Sequence, residues 1–170
     1  VPTVAKATLL GAVLGVVMII HPLAVGGGEQ LNQMLLGGEK FGLAVILGYL
    51  VLRFVAGPLS YSAPVAGGLF APMLAIGALW GVLFAGAVDV VRPGTAAALA
   101  IPMAIVGMAS LFGASVRAPV TGMVLVIEMT ASTAVIVPML AATASAVLAA
   151  YLVGSPPIYD SLRLRSLSKT

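Results

Sequence analysis

Three short stretches carry the residues whose types and spacing could do chemistry. The first is Gly67-Gly68-Leu69-Phe70-Ala71-Pro72-Met73-Leu74. Two glycines free the backbone, and a proline then falls in the first turn of a long apolar helix, where its missing N–H costs nothing. The other N–H groups at such a start have no intrahelical acceptor, and the helix end carries about half a positive charge. Together they form an anion site made of backbone. Gly68, with no Cβ, would let an ion approach the main chain. The same pattern also suits a plain turn before a membrane helix, and the residues alone leave both readings open.

The second stretch is Ala114-Ser115-Val116-Arg117-Ala118-Pro119-Val120-Thr121-Gly122, leading into Val126-Ile127-Glu128-Met129-Thr130. Pro119 marks a helix start. Arg117 and Glu128 lie 11 positions apart, a separation of about 16 Å along a helix, so they do not pair within it. Ionisable groups inside a membrane are functional candidates. The alternative is that each sits at a helix end, near an interface or capping another element; Glu128 would then accept from the N–H groups opening a helix near 133. The third stretch, Ser155-Pro156-Pro157-Ile158-Tyr159-Asp160, offers the neutral O–H donor of Tyr159. His21, beside Pro22, reads as a loop or helix-end residue.

The elements that hold these stretches follow from composition. Of 170 residues, 61% are hydrophobic and 8% charged, against roughly 25% charged in a soluble domain. Thirteen charges do not cover a water-soluble fold, so a soluble enzyme is excluded. Cysteine is absent and histidine occurs once; this excludes disulfides, thiolate and His-rich metal sites, cysteine nucleophiles and iron–sulfur clusters. No cofactor and no enzymatic reaction are expected. A net charge of +3 is too small and scattered for a nucleic-acid footprint. The mean hydropathy is +1.19, and the expected environment is the lipid bilayer.

Charge-free runs span 7–28, 54–88, 93–116 and 129–159, each longer than the roughly 20 residues of a transmembrane helix. Gly and Pro punctuation predicts helices over 4–20, 40–57, 70–91, 97–113, 118–129 and 133–152, with shorter pieces near 30–36 and 157–166. The helix at 118–129 rises only about 18 Å, short of a hydrocarbon core of about 30 Å. The expected architecture is therefore an all-α, polytopic membrane helix bundle with partial-span helices, whose polar ends are buried in protein or line a watery cavity. Small-residue pairs, Gly11 with Gly15, Gly38 with Gly42 and Gly77 with Gly81, are expected to let helices pack closely. The basic tail Arg163, Arg165 and Lys169 is expected to be cytoplasmic. Lys6 alone is a thin basic region, so the first run is not expected to be a signal peptide. With Val1 in place of Met, the chain is expected to be a fragment.

At this point the motifs support a resemblance. Gly68-Leu69-Phe70-Ala71-Pro72 matches the G-x-F-x-P signature of the CLC family of voltage-gated chloride channels and chloride/proton antiporters. Arg117-Ala118-Pro119-Val120-Thr121-Gly122 with Val126-Ile127-Glu128-Met129-Thr130 resembles the family's segment that opens and closes a short helix. Pro157-Ile158-Tyr159 resembles its final motif. The three occur in the family's order and at similar spacing.

The resemblance implies specific roles. The main-chain N–H groups that bind the central chloride in the family map to Leu69 and Phe70, behind Gly68, and the tyrosine hydroxyl that completes the site maps to Tyr159. The helices at 118–129 and 133–152 resemble the family's dimer-facing helices, which implies a homodimer. Two departures stand out. The loop Ser62-Ala63-Pro64-Val65-Ala66 differs from the Gly-rich version usual before the signature. The G-S-G-I-P and G-[RK]-E-G-P motifs of the family's first half do not occur. Residues 1–170 thus resemble the C-terminal half of a CLC-type transmembrane domain, one half of an inverted-repeat fold, with no soluble domain and with the N-terminal half as partner. The implied function is chloride transport, as a channel or as a chloride/proton antiporter. The alternatives are a secondary permease for another small anion and a non-conducting structural membrane subunit. The residues that would separate channel from exchanger belong to the first half.

Overall fold

The computed structural model describes residues 3–62 and 68–167. Among these the chain is helical throughout: α1 (Thr3–Ile20), α2 (Glu29–Leu36), α3 (Leu43–Ser62), α4 (Phe70–Val91), α5 (Ala96–Val116), α6 (Pro119–Thr130), α7 (Ile136–Leu152) and α8 (Ile158–Leu167), with a single 3-10 turn at Pro22–Ala24. Gly67, most of the 62–66 loop and Lys169 of the basic tail lie outside the described residues.

The centre is an antiparallel pair. α4 has 22 residues and α5 has 21, so each rises more than about 30 Å, and both are long and apolar enough to cross a membrane. They meet on glycine. A Cβ at Gly77 would sit 2.5 Å from the Gly107 carbonyl oxygen and 2.8 Å from Met108 Cα. One at Gly81 would strike the Met103 carbonyl and lie 2.7 Å from the Ala104 nitrogen. Around this seam Leu74, Ala75, Ala78, Leu79, Met108 and Ala109 are buried. Of the three glycine pairs expected to pack helices, Gly77 and Gly81 do so. Gly11, Gly15 and Gly42 have open space where a Cβ would go among the described residues, and Gly38 turns the chain with φ +81°.

The other helices pack around this pair, α1 only by way of α3 and the 3-10 turn. α2 and α3 pack on α4, and α6, α7 and α8 on α5. α6 is the 12-residue partial helix expected from the sequence. Large apolar side chains also face outward, among them Leu9, Ile19, Phe54, Trp80, Phe84, Val137 and Leu148, as lipid-facing helices require.

Three boundaries moved for identifiable reasons. α3 runs through Pro58 to Ser62 instead of ending at 57; membrane helices tolerate an internal proline because neighbours re-satisfy the freed carbonyl. α5 continues past Gly113 to Val116. Gly113 is a contact point: a Cβ there would lie 2.6 Å from Thr143 Cγ2 and 3.2 Å from Pro119 Cα. The helix stops instead at Arg117, whose φ is +63°. α7 begins at Ile136 instead of 133, after a turn in which Ile136 N–H donates to Thr133 C=O at 3.2 Å.

Candidate anion-binding site

The start of α4 has the form expected from Gly68-Leu69-Phe70. Leu69 already has helical backbone (φ −90°, ψ −21°), and its carbonyl accepts from Met73 N–H at 3.1 Å. The N–H groups of Leu69, Phe70 and Ala71 stand ahead of that ladder, and Pro72 contributes none. Among the described residues no side chain caps this end. Gly68 is exposed, and a Cβ there would meet nothing within 4 Å among them.

Packing holds this turn in place. The Phe70 ring stands edge-on to Phe112 of α5, with centroids 5.3 Å apart and planes at 81°, an arrangement favoured by the ring quadrupoles. Phe70 therefore gives its side chain to the core and leaves its main chain as the polar group. Tyr159 enters on a different element. It is the second residue of α8 and 51% exposed. Its hydroxyl has no hydrogen-bond partner among the described residues. Ile158 packs against the core beside it, and Ser161 Oγ donates to Pro157 C=O at 3.1 Å, tying the helix start to the loop. α8 rests on α5. Chain continuity thus brings Gly68, Leu69 and Phe70 together, and α5 carries both their helix start and the helix of Tyr159.

Of the two charges of the second motif, Arg117 serves the scaffold. Arg117 sits between α5 and α6 in left-handed conformation. It donates to Ser155 C=O at 2.7 Å and Val147 C=O at 3.2 Å, and its guanidinium lies 5.9 Å from the centre of the Tyr151 ring. A cation beside the carbonyl end of α7 complements that helix's dipole. Glu128 is exposed. The expectation that it caps the next helix fails: among the described residues no side chain caps the start of α7, which begins farther along the chain.

Sequence reasoning missed Arg53. It is 5% exposed in the middle of α3. Its Nη2 donates to Leu23 C=O at 2.6 Å and to Val25 C=O at 3.4 Å, and its Nη1 to Gly26 C=O at 3.2 Å. The available signal was a lone cation inside an apolar helix, where a charge is costly unless paired with backbone or another charge.

The sequence and the fold are similar to those of known proteins. A family model described as voltage gated chloride channel matches residues 1–151. The H(+)/Cl(-) exchange transporter ClcA of Vibrio campbellii is 38% identical over 160 residues, covering 94% of this chain and 34% of that protein. ClcA of Salmonella typhimurium is 39% identical over 168 residues, covering 94% of this chain and 33% of that protein. The chain thus spans about a third of the length of these relatives. The crystal structure of a slow cyanobacterial Cl-/H+ antiporter superimposes with a TM-score of 0.87 at 32% identity, over 100% of this chain and 40% of that one. With the family match over most of its length and these similarities in sequence and fold, the chain belongs to the voltage gated chloride channel family, the CLC integral membrane proteins.

Proposed function

We propose that this chain builds one side of a chloride pathway, with Leu69 and Phe70 N–H groups and the Tyr159 hydroxyl as ligands and Gly68 as the open approach. The observation that carries the reading is the start of α4, whose first-turn donors have no acceptor among the described residues and stand beside a glycine that is open on the side of those residues. Neutral dipoles suit a transported ion, which must bind and then leave; a buried Lys or Arg at the ligand position would hold it too tightly. No covalent step is involved.

Exchange of chloride for protons is favoured over a channel, because the ClcA relatives and the cyanobacterial protein are all named as exchangers. Residues 1–170 act as the C-terminal half of the membrane domain, together with an N-terminal half that supplies the opposing wall. A second copy docks on the outward apolar residues of α6 and α7, such as Val120, Val124, Val137 and Leu140. The tail with Arg163 faces the cytoplasm.

The test is chloride titration by calorimetry on the full-length protein and its Tyr159→Phe variant. A hydrogen bond to a charged partner contributes about 1.5–3 kcal/mol, so the variant should bind chloride roughly tenfold more weakly or worse. Unchanged titration would remove Tyr159 from the site. Flux in liposomes separates the other readings. Coupled proton and chloride movement fits the exchanger, chloride flux without protons the channel, organic-anion uptake a permease, and no flux a structural subunit.

A further inference from the structure

We propose that Arg53 is a positioning residue for the anion site: it fastens the Leu23–Gly28 loop against the first two turns of α4 and so fixes the direction of the Leu69 and Phe70 N–H groups. This rests on the reading that the start of α4 binds the transported anion.

The loop and α4 are in direct contact. Gly27 lies over the first turn: a Cβ there would sit 3.4 Å from Ala71 Cβ, and Ala71 directly follows Phe70. Gly28 lies over the second turn and is pressed between two neighbours. A Cβ there would lie 2.5 Å from Ala75 Cβ and 2.7 Å from Arg53 Nη1. Loop, guanidinium and helix therefore meet with no room for a methyl group between them. Gly28 also has φ +83° and serves as N-cap of α2, so the same residue sets the entry of that helix.

The chemistry explains why arginine stands here. The loop turns through Gly26 and Gly28, both at positive φ, and its carbonyls at Leu23, Val25 and Gly26 converge on one side chain. Backbone oxygens next to lipid or protein must be satisfied. A planar guanidinium presents several donors in a fixed fork and can serve three carbonyls at once. A lysine keeps the charge but loses the fork. With the fork in place the loop forms a rigid wall behind Ala71. Without it, the first turn of α4 is supported on the α5 side, through Phe70 and Phe112, and loses its support on the loop side.

The experiment uses the full-length protein with Arg53→Lys, Arg53→Met and Leu69→Pro, measuring chloride affinity by calorimetry and peptide hydrogen exchange with and without chloride. Both Arg53 variants should lose about tenfold in chloride affinity, the scale of one misdirected bond to a charged ligand. Exchange should rise over residues 23–28 and 69–73 and stay at wild-type levels over the α5 seam at Met103–Met108. That confinement is what a general loss of stability would not produce. If Arg53→Lys keeps wild-type affinity while Arg53→Met loses it, charge and not fastening is at work, and the proposal is overturned. It is also overturned if exchange rises over 23–28 with affinity unchanged. If Arg53→Met does not fold, Arg53→Lys and the exchange pattern decide alone. Leu69→Pro separates the two levels. Unchanged affinity there means the site itself is misplaced and this inference falls with it; lowered affinity there, with none lost in the Arg53 variants, sinks only the positioning role.

Discussion

Asp89, in the last turn of α4, reaches over the connection between the two central helices to Thr95: its Oδ1 accepts from the Thr95 N–H at 2.8 Å and from the Ala96 N–H at 2.8 Å. Thr95 occupies the N-cap position of α5, yet its own hydroxyl donates backward to Arg92 C=O at 2.8 Å. The carboxylate of the preceding helix therefore does the capping, and its negative charge faces the positive end of the α5 dipole. One side chain thereby ties the α4–α5 turn to both of the helices it joins.

Asp89→Ala should destabilise the full-length protein by about 1 kcal/mol, the usual cost of removing a cap. Asp89→Asn keeps an acceptor and gives up the charge, so it should cost less, about 0.5 kcal/mol. Equilibrium unfolding in detergent measures both. An alanine variant within about 0.5 kcal/mol of wild type, the ordinary range for surface changes, would mean the bonds add nothing beyond the turn itself.

The glycine seam makes a sharper contrast. Gly81→Ala drives a methyl group into the Met103 backbone, which only a shift of α5 can relieve; overpacking of this kind costs about 1–3 kcal/mol. Gly48→Ala on α3 meets open space among the described residues and should stabilise the helix by about 0.5–1 kcal/mol. Unfolding midpoints of the two variants should therefore move in opposite directions. Equal shifts would show that α4 and α5 do not depend on glycine contact.

The sequence allowed the helices to be read closely because apolar runs and Pro/Gly punctuation act locally. The start of α4 at Phe70 and of α6 next to Pro119 were legible for that reason, whereas Leu69 and Phe70 were singled out as donors only through the family resemblance. Glycine was the least legible residue. Gly77, Gly113 and Gly11 look alike in sequence, yet the first packs two long helices, the second lets α5 approach α7 and α6, and the third faces open space among the described residues. That difference depends on which helix comes alongside. Arg53 and Arg117 were visible as isolated charges. Their partners are carbonyls 27 to 38 positions away, which no spacing rule specifies. Tyr159 could be singled out by its motif, but the packing of its helix, α8, on α5 is tertiary.

Arg117 sets two effects against each other. Its φ of +63° is costly for any residue with a Cβ, by about 1–2 kcal/mol, while its guanidinium holds the Val147 and Ser155 carbonyls near the end of α7. Arg117→Ala loses the bonds and keeps the strain. Arg117→Gly loses the bonds and relieves the strain. The glycine variant should therefore be about 1 kcal/mol more stable than the alanine variant, and both less stable than wild type. A glycine variant more stable than wild type would mean that the two carbonyl bonds are worth less than the backbone strain.

The last prediction concerns donors that belong to the main chain. Leu69 and Phe70 would act on the anion through N–H groups, so side-chain identity at Leu69 should matter little and the presence of its N–H a great deal. Leu69→Ile keeps the donor and a similar volume, which cores tolerate at less than about 1.5 kcal/mol, and chloride affinity should stay near wild type. Leu69→Pro deletes the donor. Its backbone, at φ −90°, is within reach of a proline ring, and among the described residues this N–H supports no intrahelical bond. The fold should therefore survive while chloride affinity drops by roughly tenfold or more, the scale of one hydrogen bond to a charged ligand. Circular dichroism and chloride calorimetry on the full-length protein read the two halves of that statement. A folded proline variant with wild-type halide affinity would reduce the start of α4 to a turn and place the chloride ligands elsewhere in the protein.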